Sequence, residues 1–168
     1  AQHYRDAKIT QIYEGTNGIQ AMDLIGRKMP MRAGGVFTDH IARMRATVAA
    51  LEAGGDDLAP IAEELGRAVD AAERAGIWVM EQGMADPVVA LSVATPFQRL
   101  LALTTTGWVM GRQALLASAR LAAGEGDAEF LEQKLVSARF FVGSVLPEVH
   151  GLVGPATSGA EELRAARF

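Results

Sequence analysis

Cysteine is absent from all 168 residues, which excludes a disulfide framework and any thiolate metal site. Aromatic residues are scarce at 6%, although 49% of the chain is hydrophobic, so the apolar mass is mostly Ala, Leu, Val, Ile and Met. That mixture favours packed helices over a β-sandwich, which draws on Val, Thr and aromatic side chains. Basic clusters are missing as well: the net charge is −4 and the isoelectric point about 5.4. A nucleic-acid partner needs its phosphates neutralised by grouped Lys and Arg, so none is expected. There is also no long uncharged apolar run. The best stretch, 87–111, holds Gln98 and Arg99 near its middle, where a spanning helix of about 20 apolar residues would bury them in lipid. A helix buried among other helices is expected there, and membrane association is not. No charged-then-apolar leader opens the chain, and the expected location is cytoplasmic. His3, His40 and His150 are too scattered for a ligand pair at helical spacing, so no metal is expected.

What is present is helical periodicity. Residues 2–9 read as the end of a helix and 10–16 as a loop, with Asn17 as the N-cap of a second helix that runs through Met29 and stops at Pro30. Gly34 and Gly35 form a junction, and the expected boundary falls there: 1–33 as one unit and 35–168 as a helical bundle. Phe37, Ile41, Met44, Val48 and Leu51 make a first stripe, and Leu58, Ile61, Leu65, Val69, Ala72, Gly76 and Val79 a second. Asp86 is placed to cap a third helix with Pro87 in its first turn, broken near Thr95-Pro96 and continued by Phe97, Leu101, Trp108, Gly111 and Leu115. Leu131, Leu135, Ala138, Val142 and Val149 form the last stripe, with a kink at Pro147, and 156–168 reads as a frayed final helix. The acidic group Asp56, Asp57, Glu63 and Glu64 suits a solvated helix start. Trp78 and Trp108 are expected to pack at helix interfaces. The predicted fold is all-α: an antiparallel bundle of about four long helices preceded by a short helix-loop-helix strip.

The run YRDAKITQIYEGTNGIQAMDLIGRK at 4–28 holds Glu14, which taken alone reads most simply as a solvated loop carboxylate. A glutamate held beside an apolar substrate loses hydration, its carboxylate is disfavoured, and it becomes a stronger proton acceptor than a free side chain. Glu14 has Ile12 and Tyr13 as apolar neighbours, and Gly15 lets backbone approach a ligand closely. Over RDAKI, IYEGTN, GIQ and GRK, with spacing held throughout, the chain resembles the active-site segment of acyl-CoA dehydrogenases. The phrases ATPFQRL, GWVMGRQAL and ARFFVGSVLPE resemble the extra C-terminal helical domain of one subgroup, which includes enzymes for 3-methylthiopropionyl-CoA.

The resemblance implies that 1–33 is the end of a catalytic core and 35–168 an extension, both belonging to a longer FAD-dependent enzyme. Glu14 matches the catalytic base, Tyr13 and Gly15 the thioester pocket, and Thr16, Asn17 and Gly18 a stretch that touches FAD. Many family members carry a polar side chain where Gly18 stands, so only backbone contact to the cofactor is left there. The implied reaction removes an α-proton and passes a β-hydride to the flavin, giving a trans-2-enoyl-CoA in fatty-acid β-oxidation. The implied partners are an acyl-CoA, an electron-transferring flavoprotein and further copies of the same subunit. The isolated chain is expected to be inactive, with FAD not bound to it and residues 1–33 displaced or partly disordered. The alternative is a non-catalytic helical module for oligomerisation or protein association.

Overall fold

Glycine and acidic turns divide the chain into helices, and the computed structural model describes residues 2–12 and 16–167 of it. Every regular element among the described residues is helical, in the order α1 (Gln2–Ile12), α2 (Asn17–Asp23), a π-helical turn (Leu24–Lys28), α3 (Gly35–Glu52), α4 (Ala59–Ala85), α5 (Pro87–Ser92), α6 (Ala94–Ala122), α7 (Ala128–Ser144), α8 (Glu148–Ala156) and α9 (Glu161–Ala165). The four long helices α3, α4, α6 and α7 form the expected antiparallel bundle, with α4 and α6 each packed on α3, α7 and α8. The stripes of α3 and α4 are buried as their spacing predicts, apart from Val48, which is half-buried. Phe97 and Leu100 lie in the same core without solvent contact, and burying a side chain of that kind contributes roughly 1.5–3 kcal/mol.

Close approach is bought by small residues. A Cβ on Gly76 of α4 would stand 2.3 Å from Cζ of Phe37, and one on Gly107 of α6 would stand 2.9 Å from a methyl of Leu146. The buried face of α6 is consequently Phe97, Leu100, Thr104, Gly107, Gly111, Ala114 and Ala117. Leu101, Trp108 and Leu115, expected on that face, are only half-buried at its border. Thr104 satisfies its buried hydroxyl by donating to the Leu100 carbonyl at 2.9 Å.

Several boundaries differ from expectation. Helix α1 runs on to Ile12, past the expected loop start at residue 10. Thr16 takes the N-cap position of α2 and Asn17 is the first helical residue. The break before α6 falls at Val93, leaving Pro96 in the first turn, where its missing N–H costs no helical bond. Asp86 caps α5 as predicted, accepting from the Val88 N–H at 2.9 Å, and Asp127 caps α7 through Phe130 N–H at 3.1 Å. Pro147 separates α7 from α8. The C-terminal segment is tied down: Ala156 and Ala160 are buried, Ser92 donates to the Gly159 carbonyl at 3.0 Å, and Arg164 pairs with Asp86. No helix among the described residues is long and apolar enough to cross a membrane.

Candidate functional site

The loop singled out at 10–16 is the place to begin. Tyr13, Glu14 and Gly15 lie outside the described residues, and the structure is described from Thr16 onward. Of the three residues expected at a cofactor, Thr16 is half-buried while Asn17 and Gly18 are exposed at the start of α2. A Cβ added to Gly18 would meet nothing within 4 Å, so this surface is open on its outer side. Three residues at one helix start fit a flavin only as an edge of its site, through backbone N–H groups.

Helix α2 is two-sided. Ala21, followed by Ile25 of the π turn and Met29, is buried in the bundle core, whereas Ile19 and Met22 face outward at 57% and 42% exposure. Residues 17–29 are thus seated on α5 and α6, where displacement was expected. By contrast, the side chains of 2–10 are all exposed, including Tyr4 at 74% and Ile9 at 54%. Beside the π turn lies an apolar cavity of about 640 Å³, lined by Ile25, Met29, Val79, Met80 and Leu91 among others. Among the described residues that line it, Glu81 is the single charged one, so they hold no acid–base pair.

Two polar groupings elsewhere were hidden in the sequence. Glu64, expected in solvent, is buried: His150 Nε2 lies 2.9 Å from its Oε1, and Arg67 pairs with its other oxygen. This corrects the reading of 56–64 as a wholly solvated acidic patch, because α8 returns across α4 and covers that turn. His40 of α3 shares a 3.0 Å hydrogen bond with the Thr105 hydroxyl and meets the Trp108 ring edge-on at 5.5 Å. Burial pushes its pKa below the usual histidine value, and the nearby Arg43 charge adds to that. Trp108 donates from Nε1 to Thr47 at 2.8 Å, with Arg112 over its ring, and so closes the α3–α6 interface as an interface residue would. Both groupings are structural ties between helices. His3, His40 and His150 lie on α1, α3 and α8, and no group of three or more metal-ligating side chains occurs among the described residues.

A helical bundle with a short strip packed on α5 and α6 defines an all-helical domain among the described residues. The chain belongs to the acetyl-CoA dehydrogenase C-terminal-like family, whose model matches residues 40–167. It is 45% identical over 88% of its length to 3-methylmercaptopropionyl-CoA dehydrogenase of Ruegeria pomeroyi, covering 25% of that protein. It is 31% identical over 90% of its length to a butyryl-CoA dehydrogenase of Syntrophomonas wolfei, again covering 25%. A broad-specificity linear acyl-CoA dehydrogenase of Mycobacterium tuberculosis is 32% identical over 87% of the chain, also with 25% of its own length covered. The chain thus spans about a quarter of the length of the curated relatives it matches, and is related to acyl-CoA dehydrogenases over a C-terminal region.

Proposed function

We propose that the chain is the C-terminal part of an FAD-dependent acyl-CoA dehydrogenase, with 1–33 ending the catalytic core and 35–168 forming the extension. The observation that carries this reading is the run IYEGTN at 12–17, directly ahead of a bundle whose relatives bear acyl-CoA dehydrogenase names. Glu14 takes the α-proton of the bound thioester. Its own backbone N–H donates to the thioester carbonyl and stabilises the developing enolate oxygen. Tyr13 and Gly15 line the thioester pocket, and the apolar surroundings exclude water and strengthen Glu14 as a base. Thr16, Asn17 and Gly18 touch the cofactor through backbone groups at the start of α2. The flavin, when bound, supplies the acceptor for the β-hydride, and the product is a trans-2-enoyl-CoA. Electrons then pass to an electron-transferring flavoprotein, and the enzyme works as a homo-oligomer in the cytoplasm.

The test is anaerobic mixing of the full-length protein with a panel of acyl-CoAs, following flavin absorbance, beside a Glu14→Gln variant. Rapid bleaching by one class of thioester is expected, slowed by about 10²-fold or more in the variant, as loss of a positioned base implies. A protein with full flavin that no acyl-CoA bleaches would sink the reading. The second reading, a non-catalytic association module, draws on Phe130, Val136 and Phe140, apolar side chains exposed at 56%, 48% and 66% on α7. It gains if that bleaching is absent and the chain self-associates.

A further inference from the structure

Helix α7 turns Leu131, Ala138 and Val142 into the bundle, against α4 and α6. Its opposite side is uncovered among the described residues. Gln133, Val136, Ser137, Phe140 and Ser144 lie there, all exposed and none charged, with the exposed Phe130 ring at the border. The solvent side of a helix is ordinarily rich in charge, so an uncharged stripe holding two phenylalanines marks a contact surface. Charge is kept to its edges. Glu132 and Arg139 stand seven residues apart, two helical turns, and so share one edge of the stripe. Both are exposed, and neither has an ion pair among the described residues. On the other edge Lys134 leans back over the Phe130 ring, with Nζ 5.1 Å from its centroid.

We propose that this face of α7 docks a second copy of the same chain, the two α7 helices lying antiparallel about a two-fold axis near Leu135. A two-fold contact brings one patch against itself, so the patch has to be complementary to its own reverse. Three pairs meet that condition about a single midpoint. Phe130 and Phe140 stand five residues to either side of Leu135, so each ring meets the other ring of the second copy. Gln133 and Ser137 stand two residues to either side, which sets an amide against a hydroxyl. Glu132 and Arg139 stand three and four residues to either side, an offset that a long arginine side chain spans. A two-fold axis keeps an edge on the same edge, so both charges that lack a partner within the chain gain one. A parallel arrangement would set Glu132 against Glu132 and Arg139 against Arg139, and like charges there repel. An unrelated partner has no reason to match this reversal. The helix is about 25 Å long, and one such pair lies at the small end of the roughly 1,200–2,000 Å² that specific contacts bury. The dimer is accordingly weak, with a Kd on the order of tens of micromolar. This names the partner and register for the association reading, and it needs no role for Glu14.

The experiment is sedimentation velocity on the 168-residue chain, whose buried cluster is built from its own residues, between about 5 and 500 µM. A concentration-dependent dimer is expected. Glu132→Arg and Arg139→Glu each create two like-charge pairs across the contact and should weaken the dimer roughly tenfold or more. Phe140→Ala, which removes both phenylalanine pairs, should weaken it roughly tenfold as well. Mixing Glu132→Arg with Arg139→Glu in equal amounts should bring the dimer back to wild-type strength, because every reversed charge then meets its opposite. Val136→Cys, close to the axis in a chain that has no cysteine, should join two copies through a disulfide on mild oxidation. A wild type that stays monomeric throughout overturns the proposal and leaves the face to a different protein. A dimer that none of these substitutions weakens forms through another surface, and this too overturns it. Single variants that weaken the dimer but fail to recover on mixing overturn the antiparallel register. Neither flavin nor acyl-CoA enters the measurement, so its failure leaves the reading of Glu14 standing, and a failure of that reading leaves this inference standing.

Discussion

Single residues decide how near the helices come. An alanine at Gly76 gains up to about 1 kcal/mol of helix propensity, but its methyl would sit 2.3 Å and 2.6 Å from two ring carbons of Phe37. Phe37 is itself buried, with the Phe97 ring tilted behind it at 6.5 Å, so the ring has little room to retreat. Overpacking of this kind costs roughly 1–3 kcal/mol and outweighs the propensity gain. Gly76→Ala should therefore lower the urea midpoint, whereas Gly26→Ala, where an added Cβ meets nothing within 4 Å, should leave it unchanged or raise it. His40 gives a pH dependence with a definite sign. Its folded pKa is lowered by burial first and by Arg43 second, so the unfolded chain takes up the proton more readily. Its contribution to stability is present above about pH 6.5 and is lost as pH falls from there through the folded value. A urea-midpoint series from pH 8 to pH 5 should show that loss in the wild type and less of it in His40→Gln, which can still bond Thr105. An identical slope in both proteins would rule His40 out as its source.

Elements are where the sequence speaks most clearly, and also where it misleads. Stripes of large apolar residues at steps of three and four located α3, α4 and α7, and the cap Asp86 marked one helix start correctly. On α6 Phe97 and Gly111 are buried as expected, but Gly107, Ala114 and Ala117 do the packing in place of Leu101, Trp108 and Leu115. Small residues carry almost no signal in a periodicity, yet they are what lets neighbouring backbones meet. The π turn and the seating of α2 had no local signature, since both are decided by where α6 presents its surface. Of the candidate site, Glu14 is proposed only from the resemblance of its surrounding run, and Glu64 was misread because its partner His150 lies 86 positions away. Asp86 shows how one residue can serve two elements. One of its oxygens caps α5, and the other pairs with Arg164 of α9, holding the C-terminal segment across the corner. Asp86→Ala should cost about 1 kcal/mol, most of it from the lost cap, because the ion pair is largely solvated. Amide exchange should speed up in both α5 and α9. Faster exchange in α5 alone would mean that Arg164 contributes no restraint.

Across the whole molecule, the boundary expected at Gly34-Gly35 does not divide the hydrophobic core. Ala21, Ile25 and Met29 belong to the same buried cluster as Phe37 of α3, Val79 of α4 and Phe97 of α6. A cluster shared in this way couples its parts, because exposing one part removes apolar contacts from the others. The chain of 168 residues, taken alone, should therefore unfold in one cooperative transition from Asn17 onward. Trp78 and Trp108 report on α4 and α6, and both lie against that cluster. Far-ultraviolet dichroism reports on all helices together, so the two probes should give coincident urea curves with a common slope. Ile25→Ala should move both curves to lower urea by the same amount, equivalent to about 2–5 kcal/mol for a buried aliphatic truncation. The strip would be an appendage if Ile25→Ala left the tryptophan curve in place while changing only the dichroism at low urea. In that case the bundle from α3 onward could fold without the strip.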